Sequence, residues 1–286
     1  MDKNEVLQLA VSYMETSTDN RIKMEKQLPE HLVGEKIFEA PILGFCDAND
    51  KSFEILKEPE VVGCHFRYPR EWLPTARTVI SIFLPYSEAI KSSNREQKIW
   101  PSMGWVIGRV EGHQLFQSLL LYLQTNLRDA GFKTVIPTMD QKFFSIAEPT
   151  EELCGDPLSF TSNWSERHIA YLSGLGTFGL SKGLITEKGV AGRFGSLVTE
   201  LNLEPNKQHY KIYNDYCLEC GACIKQCPVN AISIEKGKDH RLCSIFLDKT
   251  AEKFNPRYGC GKCQVNVPCE SGMPTINDNE SIKIKI

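Results

Sequence analysis

Eight of the eleven cysteines crowd between Cys217 and Cys269, and their spacing limits what this part of the chain can fold around. The first four form C-x2-C-x2-C-x3-C-P: Cys217, Cys220, Cys223 and Cys227, followed by Pro228. Cys243 stands alone, and the segment YGCGKCQVNVPC adds Cys260, Cys263 and Cys269. Three thiols two residues apart wrap a tight loop around the corners of an iron–sulfur cubane. Gly221 relieves the backbone crowding inside that loop. A zinc site would instead use two separated C-x2-C pairs without a third cysteine at the same spacing. Disulfides would need an oxidising compartment, and residues 1–15 do not read as a secretory leader. Eight thiolates fill two 4Fe–4S clusters with none left over.

The run with its proline is the one used by two-cluster ferredoxins, in which the fourth cysteine serves the other cluster. By that resemblance Cys217, Cys220, Cys223 and Cys269 hold one cubane. Cys227, Cys243, Cys260 and Cys263 hold the second.

The remaining length, within 286 residues, is enough for a separate domain ahead of the cysteine block. The expected division is a cofactor domain over 1–208, a ferredoxin-like module over 209–275 and a tail over 276–286. A net charge of -3 gives no global basic field for nucleic acid. No apolar run approaches the roughly 20 residues that span a bilayer, so no membrane role and a cytoplasmic setting are expected.

Periodicity predicts a helix over 4–15, with Val6, Leu7, Ala10, Val11 and Met14 on one side. The apolar PILGFC (41–46) predicts a buried strand, and 53–57 a short helix. TVISIFLP (78–85) is β-branched and continuous, the pattern of a central strand covered on both faces. Residues 87–104 are polar and read as a loop. Leu115, Leu119, Leu120, Leu123 and Leu127 stripe a helix over about 110–129, ended by Gly131. KTVIP (133–137) predicts another strand. Strand, helix and strand in this order imply an α/β sandwich. Cys46, Cys64 and Cys154, outside the block, read as structural.

Residues 174–179 (GLGTFG) match G-x-G-x-x-G formally, but that fingerprint must follow a strand and open a helix. The preceding SERHIAYLS is helix-like, so Gly174 reads as a helix terminator, and LIT (184–186) as a strand. Two readings stay open for these glycines: tight packing of the turn, or close approach of the main chain to a flat cofactor.

The stretch RHIAYLSGLGTFGLSKGLIT, then GRFGSLVTELNL, then the cysteine block, resembles the epoxyqueuosine reductases. It is similar also to the corrinoid-binding core of reductive dehalogenases. WLPTARTVISIFLPY (72–86) and RDAGFKTVIP (128–137) extend the likeness over roughly residues 35–272. The resemblance implies an α/β (α+β) fold: a nitroreductase-like sandwich holding base-off cobalamin, followed by the two-cluster module. It implies an oxidoreductase in which an external donor, such as ferredoxin or flavodoxin, supplies electrons through the clusters. The alternative is a non-catalytic electron-transfer or corrinoid-handling protein.

By position in the resemblance, Arg167, His168, Gly174, Leu175, Gly176, Phe178, Gly179, Leu184, Ile185 and Thr186 line the corrin. Arg193, Phe194, Gly195 and Ser196 lie near it. The family places an Asp proton donor just ahead of the pair matched by Glu166-Arg167. Residues 160–165 (FTSNWS) contain no acid, which leaves Asp156, Glu152, Tyr171 or a water. His168 could ligate cobalt from below, although packed helix histidines are commoner. The chain ends soon after Cys269 without the helical-repeat extension of the tRNA-acting reductases. With the acidic net charge, this makes a small molecule the expected substrate and tRNA a doubtful one.

Overall fold

Every residue of β2 (Thr78–Pro85) is buried, as its unbroken apolar run predicts. The structure is a computed structural model that describes residues 1–26, 28–147 and 160–275. β2 pairs antiparallel with β1 (Ile42–Asp47) on one side and with β8 (Gly192–Thr199) on the other. The short β3 (Thr134–Val135) completes the sheet in the order β1-β2-β8-β3. The fold class is α+β, and its sheet is antiparallel at each of these pairings.

Alternation along β2 serves two cores. Ile80, Ile82 and Leu84 pack in the cluster that includes Leu115, Phe116, Leu119 and Leu120 of helix α4 (Met103–Asp129). Val79 joins a second cluster with Trp164, Ile169 and Leu172, the last two on α5 (Glu166–Leu172). Helices on both faces keep the sheet out of water, which is why β2 needs no polar side. Helix α1 (Lys3–Thr16) adds Val6, Ala10 and Met14 to the first core and opens on a capping box between Asp2 and Glu5. Residues 51–57 form a 3-10 turn, and α2 (Pro69–Trp72) is one turn of helix.

The polar stretch expected to be a loop is helical. Helix α3 (Glu88–Arg95) starts at the N-cap Ser87, and α4 begins at Met103, earlier than its leucine stripe suggests. Two features hid this. The buried face of α3 carries Lys91, Ser93 and Asn94, so no apolar period is visible. The first turns of α4 carry Gly104, Gly108 and Gly112, poor helix formers placed for contact. A methyl on Gly112 would meet Phe38 Cζ at 2.9 Å, and one on Gly108 would meet Tyr86 Cε1 at 3.0 Å.

After β8 the chain crosses to the cysteine-rich module. It contains α6 (Ala222–Gln226), the hairpin β9 (Ile232–Ser233) and β10 (Gly237–Lys238), and α7 (His240–Phe254). A 3-10 turn at Lys262–Gln264 follows. Gly221 and Gly261 each precede the last cysteine of a C-G-x-C and each has positive φ, +71° and +67°. That left-handed geometry is open to glycine at little cost. Among the described residues no helix is long and apolar enough to cross a membrane.

Candidate iron–sulfur and cofactor site

The glycine segment forms a grip on the cysteine module. After α5, Gly174 takes φ +79° and ends the helix. β6 (Gly176–Phe178) and β7 (Leu184–Thr186) then form a hairpin, so this stretch runs helix to strand and not strand to helix. Of the two readings of its glycines, packing holds at Gly176, where the Cβ position is taken by the Ile185 backbone. The Thr177 hydroxyl accepts from the Tyr216 amide at 2.9 Å, one residue before Cys217. Phe178 N donates to Tyr213 O at 2.7 Å, and Val190 N to Cys269 O at 2.8 Å. The segment thereby holds both ends of the first thiol quartet.

Cys217, Cys220, Cys223 and Cys269 line one cavity with Gly179, Ile185 and Val267. The Val190 and Ala191 amides hold Cys269 and Glu270 at this cavity, at 2.8 and 3.3 Å. Burial and then the neighbouring thiols raise Cys223 and Cys269 to about 12. Cys227, Cys243 and Cys263 all lie within electrostatic reach of Cys260, which burial chiefly raises to about 12. Cys263 also lies within electrostatic reach of Cys223, so the two groups of thiols are neighbours. Ala231 N also donates to Cys227 Sγ at 3.2 Å.

Four thiolates buried together would repel strongly unless a cationic core lay between them, and an iron–sulfur core supplies that charge. Thiolate sulfur is also the donor type that iron–sulfur clusters use.

Helix α3 holds the other cysteine segment. Asn94 Nδ2 donates to Cys260 O at 3.1 Å, and Lys262 Nζ donates to Asn94 O and Gln97 O, each at 2.5 Å. Arg95 Nε donates to Glu270 Oε1 at 2.9 Å, and Lys91 Nζ to Ser271 Oγ at 2.7 Å. Sequence reasoning missed these residues. A polar, i/i+3/i+4 pattern at Lys91, Asn94 and Arg95 was their only signal.

The expected corrin-lining residues divide. Arg167 is exposed, donates to Lys182 O at 2.7 Å and lies within reach of Cys263, Arg109 and Cys243. Arg193 and Arg109 lie near His113, whose pKa falls to about 4 through burial and then these two charges. Arg109 Nε, Arg193 Nε and Gln264 Oε1 are screened from solvent and have no hydrogen-bond partner among the described residues. Such orphaned donors and acceptor are of the kind that pair with the amide side chains of a corrin rim. By contrast Leu175, Gly176, Leu184, Thr186, Gly195 and Ser196 are buried in protein. They are backing to the site and not its surface. Gly179 and Ile185 face the first thiol cavity. Gly174 abuts Asn206, and Phe194 lies on Phe83 at 4.6 Å between centroids.

His168 is engaged by protein. Its Nδ1 is 2.7 Å from Ser165 Oγ and its ring lies 4.8 Å from that of Phe178. Burial, then Arg167, lowers its pKa to about 4. Tyr171 stacks between Phe178 and Tyr210, and burial raises its pKa. Glu166 has both carboxylate oxygens buried without a hydrogen bond, and burial raises it to about 7 against the lowering effect of nearby Ser196. Asp156, Glu152 and Cys154 lie outside the described residues. Cys46 is core, 3% exposed, and accepts from Ser173 Oγ at 3.4 Å. Cys64 is disulfide-bonded, a structural use of its thiol.

Residues 210–233 match the 4Fe-4S binding domain family. An epoxyqueuosine reductase of Listeria monocytogenes is 24% identical over 224 residues, covering 72% of this chain and 51% of that protein. The chain spans about half the length of the curated relatives it matches. Among solved structures, an epoxyqueuosine reductase with an epoxyqueuosine-modified tRNA stem loop aligns over 96% of this chain and 66% of its own, at 19% identity and TM-score 0.55. A reductive dehalogenase whose structure suggests a mechanism for B12-dependent dehalogenation covers 98% of this chain and 38% of its own, at 12% identity and TM-score 0.52. Because one of these neighbours holds a tRNA stem loop, the likeness gives no support to the expectation of a small molecule over tRNA. In sequence the chain is similar to the epoxyqueuosine reductases, it shares their fold, and it carries a 4Fe-4S binding domain in the corresponding cysteine block.

Proposed function

We propose that the protein is an iron–sulfur reductase that carries electrons through two 4Fe–4S clusters to a corrinoid held by Arg109, Arg193 and Gln264. What supports this reading is the gathering of Cys217, Cys220, Cys223 and Cys269 round one cavity and of Cys227, Cys243 and Cys263 about Cys260, with Arg167 in reach of Cys263, Cys243 and Arg109. A corrinoid bound there without a lower base would supply a strongly reducing metal centre. The protein's own residues have three tasks. The quartets hold the clusters. Arg109, Arg193 and Gln264 orient the ring's amide rim through their unpartnered atoms. Glu166, pushed up to about 7, keeps a protonated carboxyl at the start of α5, where residues 160–165 offer no other acid.

The domain boundary near residue 208 and a cytoplasmic setting belong to the same proposal. So does an external donor such as ferredoxin or flavodoxin. The substrate is an electrophilic carbon compound, either free or carried on tRNA. Anaerobic reconstitution with iron, sulfide and cobalamin tests the core of the reading. About eight irons and one base-off cobalamin per chain are expected, and Cys227→Ala should retain about half the iron. Full iron in that variant, or bound flavin with no cobalamin, would overturn it.

A further inference from the structure

The two thiol quartets sit in opposite electrostatic surroundings. Among the described residues, the cavity of Cys217, Cys220, Cys223 and Cys269 is lined by apolar residues, Ser181 and Glu219, and by no Lys, Arg or His. Around the other quartet three cations gather. Lys262 lies between Cys260 and Cys263, is 1% exposed and is held by two carbonyls at 2.5 Å. Lys238, on β10, lies within reach of Cys263. Arg167, anchored on Lys182 O, faces Cys263 and Cys243.

Adding an electron to a cubane adds negative charge, so a nearby cation favours the reduced form and a nearby carboxylate opposes it. Cluster potentials respond to this net charge as well as to hydrogen bonds and exposure. We infer that the cluster on Cys227, Cys243, Cys260 and Cys263 has the higher reduction potential, set by Lys238, Lys262 and Arg167, and that the first electron entering the pair resides there. The step is a one-electron transfer: the donor is oxidised by one electron, this cluster is reduced by one, and no bond or proton moves. It deepens the function proposed above by giving the cluster pair a direction, toward the quartet within reach of Arg167.

The test is a dithionite titration of the reconstituted, cobalamin-free protein, followed by electron paramagnetic resonance. Two one-electron waves are expected, and Cys227→Ala should keep the lower one only. Lys238→Gln should move the upper wave negative by about a tenfold change in the oxidised-to-reduced ratio, about 59 mV for one electron. Glu219→Gln should move the lower wave positive and leave the upper one in place. Eight irons with a single wave, with both variants shifting the same wave, or with neither shifting, would overturn the inference while leaving the two-cluster reading intact. Far fewer than eight irons would overturn both.

Discussion

Arg95 and Glu270 join the sandwich to the cysteine module. The Arg95 Nε donates to Glu270 Oε1 at 2.9 Å, one residue after Cys269, and a second guanidinium nitrogen pairs with Glu88 on the same helix. The Glu270 side chain is 10% exposed, so its charge depends on this partner more than a surface ion pair would.

Replacing Arg95 by Met should therefore loosen Cys269 ahead of the other ligands. The expected outcome is a loss of about 1–2 kcal/mol in chemical denaturation. Iron should fall toward the content of the quartet that Cys269 does not serve. Arg95→Lys should restore most of the iron, as measured by iron assay and visible spectrum.

Asn94 makes the matching connection to the other quartet. Its side chain donates to Cys260 O at 3.1 Å and accepts from Ser102 N at 3.0 Å, and the residue is fully buried. Asn94→Leu strands both partners, at about 1–3 kcal/mol for a buried polar group left unpaired. Iron loss in this variant should come from the cluster of Cys260 and Cys263, opposite to Arg95→Met. The same cluster lost in both variants would show that α3 does not hold the two sites separately.

Gly112 tests the packing of α4. Its Cβ position lies 2.9 Å from Phe38 Cζ and 3.2 Å from Ile37 Cγ2, both in the core. Gly112→Leu should destabilise the fold by about 1–3 kcal/mol through overpacking. Gly131, with nothing within 4 Å of its Cβ position but φ +91°, should lose stability on Gly131→Ala through backbone strain alone. Thermal unfolding of the two variants, with iron content as a control, separates these causes.

His168 predicts a pH slope. Burial, then Arg167, holds its folded pKa near 4, below the ordinary 6.5. Between these values the unfolded chain binds a proton that the folded chain does not, so stability falls as pH drops from about 6.5 toward 4. The contribution is on the order of 3 kcal/mol when complete. Unfolding midpoints measured at pH 7 and pH 5.5 should differ less in His168→Gln than in the parent. An equal difference would show that the imidazole is not held neutral.

Local chemistry made much of this protein legible. Cysteine spacing specifies a loop that can present three thiols to one core, and a continuous β-branched run specifies a strand without a wet face. Gly174 could be read as a helix stop because the residues before it keep helical period and glycine takes positive φ cheaply. What pairs across the fold was not legible. Helix α3 looked like a loop because its buried face is polar, and key partners of those polar groups, Cys260 O, Glu270 and Ser271, lie some 165–180 residues away. Strand β8 was hidden by Gly192 and Gly195, whose missing side chains leave room for Phe83 and Phe116. Cys269, six residues beyond Cys263 and outside its C-x2-C, is held in place by the Val190 amide. Spacing along the chain determines which ligands can share a loop. Only the tertiary structure decides which distant backbone groups hold those loops, because a hydrogen bond between remote segments leaves no period in either one.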